Sequence, residues 1–227
     1  MTVSVIIPVL HESALINDAI AHIRSLEPGA PVEVIVVDGA READTLHAIR
    51  DSEVKNVLSA RGRGTQMNRG AEAARGDILL FLHVDTELPR DGLRAIRAVM
   101  EGGRFVGGAF DLGIDGRGIM FRLIERVASL RSRLTRIPYG DQAIFLRRDY
   151  FLRLGGYREM ALMEDVDLMR RVKKGGGAIF ILPERVRTSG RRWRGEGLVR
   201  CTLRNWIVAI LYLFGVSPER LARWYPS

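Results

Sequence analysis

The sequence predicts an α/β fold in which helices flank a mostly parallel, Rossmann-like central sheet and a helical region follows at the C-terminus. Short apolar runs of strand length alternate with helical patterns through the first two-thirds of the chain. Nearly continuous apolar runs are typical of parallel strands covered on both faces. With 47% hydrophobic and 27% charged residues, the composition excludes a disordered or fibrous chain. The 227 residues carry no Pro/Ser-rich linker and no repeat, so we expect one domain.

The first part of the chain contains four predicted strands. Val3–Val9 has the composition of a buried strand, and Ser13 offers an N-cap for a helix over 14–26 that ends at Pro28-Gly29. The elements that follow are predicted at 32–37 (strand), 42–51 (helix), 54–58 (strand), 65–76 (helix) and 78–84 (strand).

The pattern changes after residue 100. A long amphipathic helix rich in arginine is predicted over 116–136, and a second amphipathic helix over 198–214. Short strands are predicted at 105–114, 143–147 and 178–182, and a helix that begins at Glu164 lies between the last two.

Charge is the unusual feature of the composition. Thirty-five Lys and Arg against 27 Asp and Glu give a net charge of +8, and since lysine occurs only at positions 55, 173 and 174, arginine supplies 32 of the 35. Such an excess predicts an anionic partner, which could be nucleic acid, a membrane surface or a phosphorylated substrate. Nucleic acid is disfavoured because the chain has no aromatic-interleaved basic strand and no recognition-helix signature.

Cysteine use and the lengths of the apolar runs bear on the compartment. Cys201 is the single cysteine, which allows no internal disulfide and fits a reducing compartment. The N-terminal residues MTVSVIIPVL have no basic segment and no cleavage site. The longest apolar stretch, 206–216, is about half of the ~20 residues that a spanning helix needs. We therefore expect a cytoplasmic protein, with contact to the inner face of the membrane left open.

Carboxylates follow three of the predicted strands. Glu12 comes after the first strand, Asp38 ends the second, and Asp85 follows the strand at 78–84. In open α/β sheets, ligands bind outside the carboxyl ends of the strands. A single such residue could be a helix cap or a turn former, but three together predict a metal or nucleotide site.

Several segments, taken in order and at their spacing, carry a family resemblance. They are SVIIPVLHE (4–12), VIVVDG (34–39), ARGDILLFLHVDT (74–86), GDQAIFLRR (140–148) and MEDVDLMRR (163–171). With these segments, the chain resembles glycosyltransferase family 2, the inverting nucleotide-sugar-dependent enzymes of GT-A fold. A further segment, RGRGTQMNRGA (61–71), resembles a bacterial subgroup associated with radical-SAM, selenodomain or arsenosugar gene neighbourhoods.

The resemblance implies where a nucleotide-sugar donor binds. Asp38 matches the family carboxylate that accepts hydrogen bonds from the nucleotide base, a role that suits the N–H donors of uracil or guanine. Pro8, Glu12 and Gln66, which lie in the matching segments, are also assigned to nucleotide-sugar binding.

The resemblance also implies a divalent metal. Asp85 matches the second carboxylate of the family's DxD motif, which holds Mg²⁺ or Mn²⁺ against the donor diphosphate and so offsets the charge of the leaving group. The first Asp of that motif is replaced by His83, and the motif reads HVD. Three roles for His83 stay open: packing beside the site, ligating the metal, or shifting the preference toward a softer cation such as Mn²⁺.

A basic loop precedes the helix at 65–76. Arg61 and Arg63 alternate with glycines, and small residues before a helix N-terminus let the backbone approach a phosphate. The loop is not a P-loop, because the GK[ST] ending is absent. A diphosphate contact is the favoured interpretation, with a flexible basic loop as the alternative.

Glu164-Asp165 resembles the family's ED motif, whose Asp is the general base of the inverting reaction. Inversion needs a carboxylate opposite the leaving group to take the proton of the acceptor hydroxyl. Asp165 lies at the start of a predicted helix, whose dipole favours its negative charge. The alternative is an acidic first turn with no catalytic role.

The C-terminal region is basic and amphipathic. Arg192-Trp193 partly resembles the Q-x-x-R-W motif of some family members, without its Gln, and an acceptor or diphosphate role is assigned to this pair and to Glu164. The helix at 198–214 has aromatic neighbours at Trp224 and Tyr225. It could lie in a membrane interface, dock on the protein's own core, or form a homodimer.

The predicted function is therefore an inverting glycosyltransferase that moves a sugar from a UDP- or GDP-sugar to an acceptor hydroxyl or phosphate, with a lipid-linked acceptor left open. The alternative is a non-catalytic GT-A-like module that binds a nucleotide or a membrane. Three parts are expected in the single domain 1–227: a nucleotide-binding half at 1–86, an acceptor and catalytic half at 87–182, and basic helices at 183–227.

Overall fold

Within residues 1–29 and 31–224, which the computed structural model describes, eight strands form a single sheet. Valine and isoleucine dominate the first two strands, in keeping with the β preference of branched side chains. The strands are β1 (Val3–Val9), β2 (Val32–Asp38), β3 (Lys55–Leu58), β4 (Ile78–Phe81), β5 (Thr86–Glu87), β6 (Gly107–Asp115), β7 (Phe145–Arg147) and β8 (Ile179–Ser189).

The sheet is mostly parallel, with the order β3-β2-β1-β4-β7-β6-β8-β5. Strands β3, β2, β1 and β4 run parallel, and Val3 lies opposite both Val32 and Ile78. Strand β7 is antiparallel to β4 and β6, while β6 and β8 are again parallel. The predicted α/β fold with a mostly parallel central sheet is therefore confirmed.

Helices cover both faces of the sheet, which explains why the central strands β1 and β4 are almost wholly buried. They are α1 (Ile16–Leu26), α2 (Asp44–Ala48), α3 (Arg63–Ala73), α4 (Gly92–Glu101), α5 (Ile119–Thr135), α6 (Arg148–Arg153), α7 (Glu164–Lys174), α8 (Arg191–Glu196), α9 (Leu198–Leu213) and α10 (Pro218–Ala222).

Two apolar clusters lie on opposite faces. Val5 and Ile7 of β1 pack in the cluster that holds the buried faces of α1, α4 and α5, whereas Ile6 packs in the cluster of α3, α6 and α7. Alternate residues of one strand thus enter different clusters, as the pleat of a strand requires.

A third, smaller cluster fixes the C-terminal helices to the rest of the protein. Val208 of α9 and Leu221 of α10 pack with Met163 and Val166, at the start of α7. The predicted helical C-terminal region is present, and it packs beside the first turn of α7. No helix in the described part of the chain has both the length and the apolar composition to cross a bilayer.

Several predicted boundaries were wrong. Helix α1 begins at Ile16 instead of residue 14, so Ser13 is not its cap. Strand β4 ends at Phe81 because the chain turns at His83, whose carbonyl accepts a hydrogen bond from the Thr86 N–H at 3.0 Å. Strand β8 extends to Ser189, because it pairs along the whole of β6. The predicted Tyr225 ring lies outside the described residues.

Candidate active site

A cleft opens at the carboxyl end of β1, on the edge of the sheet where ligands of α/β proteins bind. Its main cavity, of about 610 Å³, is lined by the segment after β1, the first turns of α3 and α7, and the 3₁₀ turn Gly140–Gln142. A side cavity of about 220 Å³ shares Glu12 and Arg63 with it and extends to Asp85.

The fold brings most of the predicted site residues together. Asp85 and Trp193 line the side cavity, and Asp38 lines neither cavity. The predicted residues that line the main cavity are Pro8, Glu12, Arg61, Arg63, Gln66, His83, Glu164, Asp165 and Arg192.

An arginine that sequence reasoning did not select joins two of the predicted carboxylates. Arg191, the first residue of α8, places Nη2 3.0 Å from Oε1 of Glu12 and Nε 3.3 Å from Oδ2 of Asp85. The two acids come from different strand ends, so one guanidinium bridges the chain after β1 and the turn after β4. The C-terminal region at 183–227 was predicted to be basic, but the partners of Arg191 are distant in sequence and only the fold brings them together.

Asp38 is buried at the end of β2. Its side chain is 0% exposed, Oδ1 accepts a hydrogen bond from the Ala40 N–H at 2.8 Å, and Oδ2 has no partner among the described residues. A buried acceptor without a donor is unusual and costs stability. This oxygen is therefore suited to accept a hydrogen bond from a ligand, although Asp38 is separated from the cavity surface.

Gln66 holds the two strand ends in place. Its Nε2 donates to the carbonyl oxygens of Val9 and Val37, at 2.8 and 2.9 Å. The amide nitrogen is thus used by the backbone of β1 and β2. The predicted contact of Gln66 with a nucleotide sugar stays a prediction, and the structure adds a positioning role.

The basic loop brings its arginines to the main cavity. Gly62 has φ +145°, a backbone conformation that favours glycine, and α3 begins at Arg63 instead of near Thr65. Nη1 of Arg63 lies 3.8 Å from Oε1 of Glu164. The first turns of α3 and α7 therefore face each other, and Arg61 and Arg63 add positive charge to the cavity rim.

Asp165 is held by backbone donors. The Gly140 N–H donates to its Oδ2 at 2.6 Å and the Val166 N–H donates to its Oδ1 at 2.7 Å. Both bonds and the N-terminus of α7 stabilise a negative charge on this carboxylate. Met163, just before it, has φ +68°, a sparsely populated conformation of the kind found at functional sites. The carboxylate is partly exposed to the main cavity.

Glu164 differs from its neighbour in burial. It is 5% exposed. Burial and, to a lesser extent, the negative charge of Asp165 raise the pKa of Glu164 to about 7, although the positive charge of Arg63 opposes the shift. Near neutral pH, Glu164 is therefore partly protonated, whereas its predicted role was only a contact with acceptor or diphosphate.

Asp141 is a site residue that sequence reasoning missed. It lies in the 3₁₀ turn and lines both cavities. Burial raises the pKa of Asp141 to about 6, against the positive charge of Arg131, and Asp165 raises it as well. The signal was available, because Asp141 belongs to the family segment GDQAIFLRR, but no role was given to it.

His83 lies close to Asp165 across a glycine. A Cβ atom on Gly140 would come 3.2 Å from Nε2 of His83 and 3.4 Å from Oδ2 of Asp165. Burial, together with the positive charges of Arg63 and Arg192, lowers the pKa of His83 to about 3. The imidazole is therefore neutral and can accept one hydrogen bond, donate one hydrogen bond or ligate a metal.

The donor set fits a divalent metal only in part. Asp85 offers a carboxylate, and the neutral His83 lines the same side cavity. In the described part of the chain, no group of three His, Cys, Asp or Glu side chains could hold a metal ion. Mg²⁺ and Mn²⁺ are commonly held by one or two carboxylates together with substrate phosphates. The residues therefore fit a metal whose remaining ligands come with the donor.

Trp193 packs against the protein. Its ring meets Phe121 of α5 edge to face, with centroids 6.5 Å apart, and its Nε1 is buried without a partner in the described part of the chain. The neighbouring Arg192 lines both cavities. Of the predicted Arg192-Trp193 pair, the arginine is thus the better placed to meet a substrate.

Comparison with known proteins decides the family. The family model described as "Glycosyl transferase family 2" matches residues 4–162, well over half of the chain. The chain belongs to glycosyltransferase family 2. A relative, the glycosyltransferase AglD of Haloferax volcanii, is 30% identical over 158 residues, which cover 65% of this chain and 24% of AglD.

Solved structures show the same fold. The Pyrobaculum calidifontis mannosyltransferase PcManGT, in complex with GDP-Man and Mn²⁺, superposes with a TM-score of 0.68 at 23% identity, over 96% of this chain and 66% of that one. TarS 1–349 of S. aureus, in complex with UDP-GlcNAc, gives 0.64 at 18% identity, over 83% and 58%. The GT-A fold is confirmed.

The match is partial in one respect. This family 2 chain spans about a quarter of the length of AglD and about three-fifths of the two structures. Membership of the radical-SAM, selenodomain or arsenosugar subgroup stays a prediction, as does the expected division into three parts.

Proposed function

We propose that this protein transfers a sugar from a UDP- or GDP-sugar to an acceptor hydroxyl or phosphate, with inversion at the anomeric carbon. One observation carries the proposal: the Asp165 carboxylate, fixed by two backbone N–H groups, lines the same cavity as Arg63 and Arg192. The cavity thus combines a proton acceptor with cations that suit a diphosphate. TarS and PcManGT, which share the fold, are seen with UDP-GlcNAc and GDP-Man.

The roles of the residues follow from their placement. Asp165 takes the proton of the acceptor as its oxygen attacks the anomeric carbon. Arg61, Arg63 and Arg192 offset the negative charge of the diphosphate. Asp38 accepts a hydrogen bond from the base through its unpaired Oδ2, once the segment that buries it moves.

Asp141 is proposed to hold a hydroxyl group of a substrate. It lines both cavities, and no hydrogen bond from the described residues to its side chain is seen in the structure. Asp141 lies close to the proposed general base Asp165, and its carboxyl group can still form hydrogen bonds, so it is suited to orient the sugar or the acceptor.

Asp85 and the neutral His83 would hold a Mg²⁺ or Mn²⁺ ion together with diphosphate oxygens. When bound, the metal supplies positive charge at the leaving nucleoside diphosphate. Nε of Arg191 lies 3.3 Å from Oδ2 of Asp85. For a metal to bind, Arg191 has to release this carboxylate or share it with the metal. The Mn²⁺ in the PcManGT complex supports the assignment.

A second candidate is a non-catalytic module that binds a nucleotide or a membrane. Two observations favour it: the HVD motif has one carboxylate where the family has two, and Arg191 bridges Glu12 and Asp85. In this alternative, Arg191 is a permanent structural partner of the two acids.

Calorimetry and product analysis separate the candidates. If the protein is the proposed enzyme, we expect it to bind UDP or GDP more tightly with Mn²⁺ than without it. We also expect NMR of the transferred or hydrolysed sugar to show inversion of the anomeric configuration. Nucleotide binding without turnover on any tested nucleotide sugar would favour the module. A product that retains the donor's configuration would contradict the role of Asp165 as a base.

A further inference from the structure

The outward faces of α5 and α9 have an unusual composition. Every exposed side chain on these two helices is either arginine or a large apolar group. On α5 the exposed residues are Ile119, Met120, Arg122, Leu123, Arg126, Val127, Leu130 and Leu134. On α9 they are Val199, Arg200, Leu203, Trp206, Ile207, Ile210 and Leu213.

Other helices of the same protein show the ordinary pattern. The exposed side chains of α3 are Arg63, Arg69 and Glu72, and those of α7 belong to Arg170 and the lysines at 173 and 174. The apolar exposure of α5 and α9 is therefore not a general property of this arginine-rich chain. Contiguous exposed apolar surface marks an interaction site.

The two helices are connected through α8. Trp193 of α8 packs on Phe121 of α5, and α8 leads directly into α9. At 16 and 17 residues, α9 and α5 are each about 25 Å long. Near one end of α9, an apolar groove lies between Val199, Leu203, Ile207 and the ring of Trp224.

The charge on these faces indicates what covers them. Glu125 is the acid within α5, and it is buried and paired with Arg122, while α9 contains no acid. A second copy of the chain docked through the same faces would bring arginine against arginine, which is unfavourable. A bilayer with anionic headgroups offers an apolar layer and compensating negative charge together.

We propose that the outward faces of α5 and α9 dock on the surface of an anionic lipid bilayer. The apolar side chains enter the headgroup region, and Arg126 and Arg200 pair with lipid phosphates. The inference does not depend on the transfer reaction, because nucleotide binding is measured separately from vesicle binding.

Co-sedimentation with vesicles tests the docking. We expect the full chain to bind phosphatidylcholine vesicles that contain phosphatidylglycerol, to bind pure phosphatidylcholine vesicles less, and to be released by salt. The double variant Ile207→Asp/Ile210→Asp is expected to weaken partitioning by about tenfold or more. Both side chains are about half exposed, so folding should be kept, as circular dichroism will show.

A matched control is available on α6. Leu152 is 43% exposed, and Leu152→Asp should leave vesicle binding unchanged. Absence of wild-type binding to anionic vesicles at low ionic strength overturns the proposal, as does equal binding by wild type and double variant. Light scattering that shows a dimer, lost in the double variant and formed without lipid, would assign the faces to a second copy.

Discussion

The cleft has two walls, and the carboxylates of the two walls have different neighbours. On the strand-end wall, Glu12 and Asp85 share the guanidinium of Arg191. On the helix wall, Glu164 is buried and Asp141 is half-buried near Asp165, and the loss of solvent raises the pKa of both carboxyl groups. The acids of the strand-end wall therefore share one guanidinium, whereas those of the helix wall lie close to one another with Arg63 at 3.8 Å from Glu164.

This difference indicates that the two walls bind different parts of the substrates. A carboxylate that already shares a cation can exchange it for a metal ion at modest cost, because the local charge changes little. Carboxylates that crowd one another at low solvent exposure gain from accepting a proton. The strand-end wall is thus suited to the leaving diphosphate, and the helix wall to the attacking hydroxyl.

The substitution Asp165→Asn breaks the helix wall and should have the largest effect. The amide keeps the shape of the side chain but cannot accept a proton, so kcat should fall roughly 10³-fold while donor affinity changes little. Transfer assays and calorimetry measure the two quantities. Asp18→Asn is the control, because Asp18 also lies in the first turn of a helix. A loss of only a few-fold would exclude Asp165 as the base.

The substitution Asp85→Asn breaks the strand-end wall. We expect turnover to fall about 10²-fold and the response of the rate to Mn²⁺ concentration to flatten, because the carboxylate proposed to hold the metal loses its charge. The measurement is the rate as a function of Mn²⁺ at saturating donor. If the Mn²⁺ dependence of the variant equals that of the wild type, the metal site lies elsewhere.

Much of the strand-end wall could be predicted from sequence, because strand ends are short-range features. Apolar runs predicted β1, β2 and the start of β4, although β4 ends three residues earlier than predicted, and Glu12 and Asp85 follow β1 and β4 closely. Arg191 could not be predicted, since it is 179 residues from Glu12 in sequence. Its partners are set by the path of β8, whose predicted length was too short.

The helix wall was predicted less completely. The Glu164-Asp165 pair was found because it begins a helix and matches a family motif. The crowding that raises the pKa of Asp141 depends on a turn 24 residues earlier than Asp165, and no local pattern reports such burial. The exposed apolar faces of α5 and α9 look, in sequence, like helices packed on a core, because periodicity shows that an apolar face exists without showing what covers it.

The substitution Arg191→Ala sharpens the comparison, because it removes the shared cation. In the presence of UDP or GDP, we expect Mn²⁺ to bind several-fold more tightly, about 1 kcal/mol, since Asp85 no longer has to leave an arginine. Arg187→Ala, which removes a pairing with Asp115 away from the cavities, is the matched control. Weaker Mn²⁺ binding in Arg191→Ala would assign Arg191 to the donor site itself.

A further expected effect is on the stability of the fold. Glu164 has a pKa of about 7 in the folded chain against an ordinary value of 4.5, so the unfolded chain ionises first as the pH rises. The free energy of unfolding should therefore fall between pH 4.5 and 7 by about 2 kcal/mol from this group. In Glu164→Gln, the free energy of unfolding measured with urea should no longer show this decrease between pH 4.5 and 7. An unchanged slope would mean that Glu164 is ionised throughout.

The unpaired Oδ2 of Asp38 couples binding of the nucleobase to the thermal stability of the protein. A buried acceptor without a donor lowers the free energy of unfolding by roughly 1–3 kcal/mol. A nucleobase whose N–H reaches this oxygen would return that free energy, and thermodynamic linkage converts the gain into a higher melting temperature. UDP should then protect the fold more than N3-methyl-UDP, which lacks the imide N–H. The melting temperature of the protein would then report which nucleobase is bound.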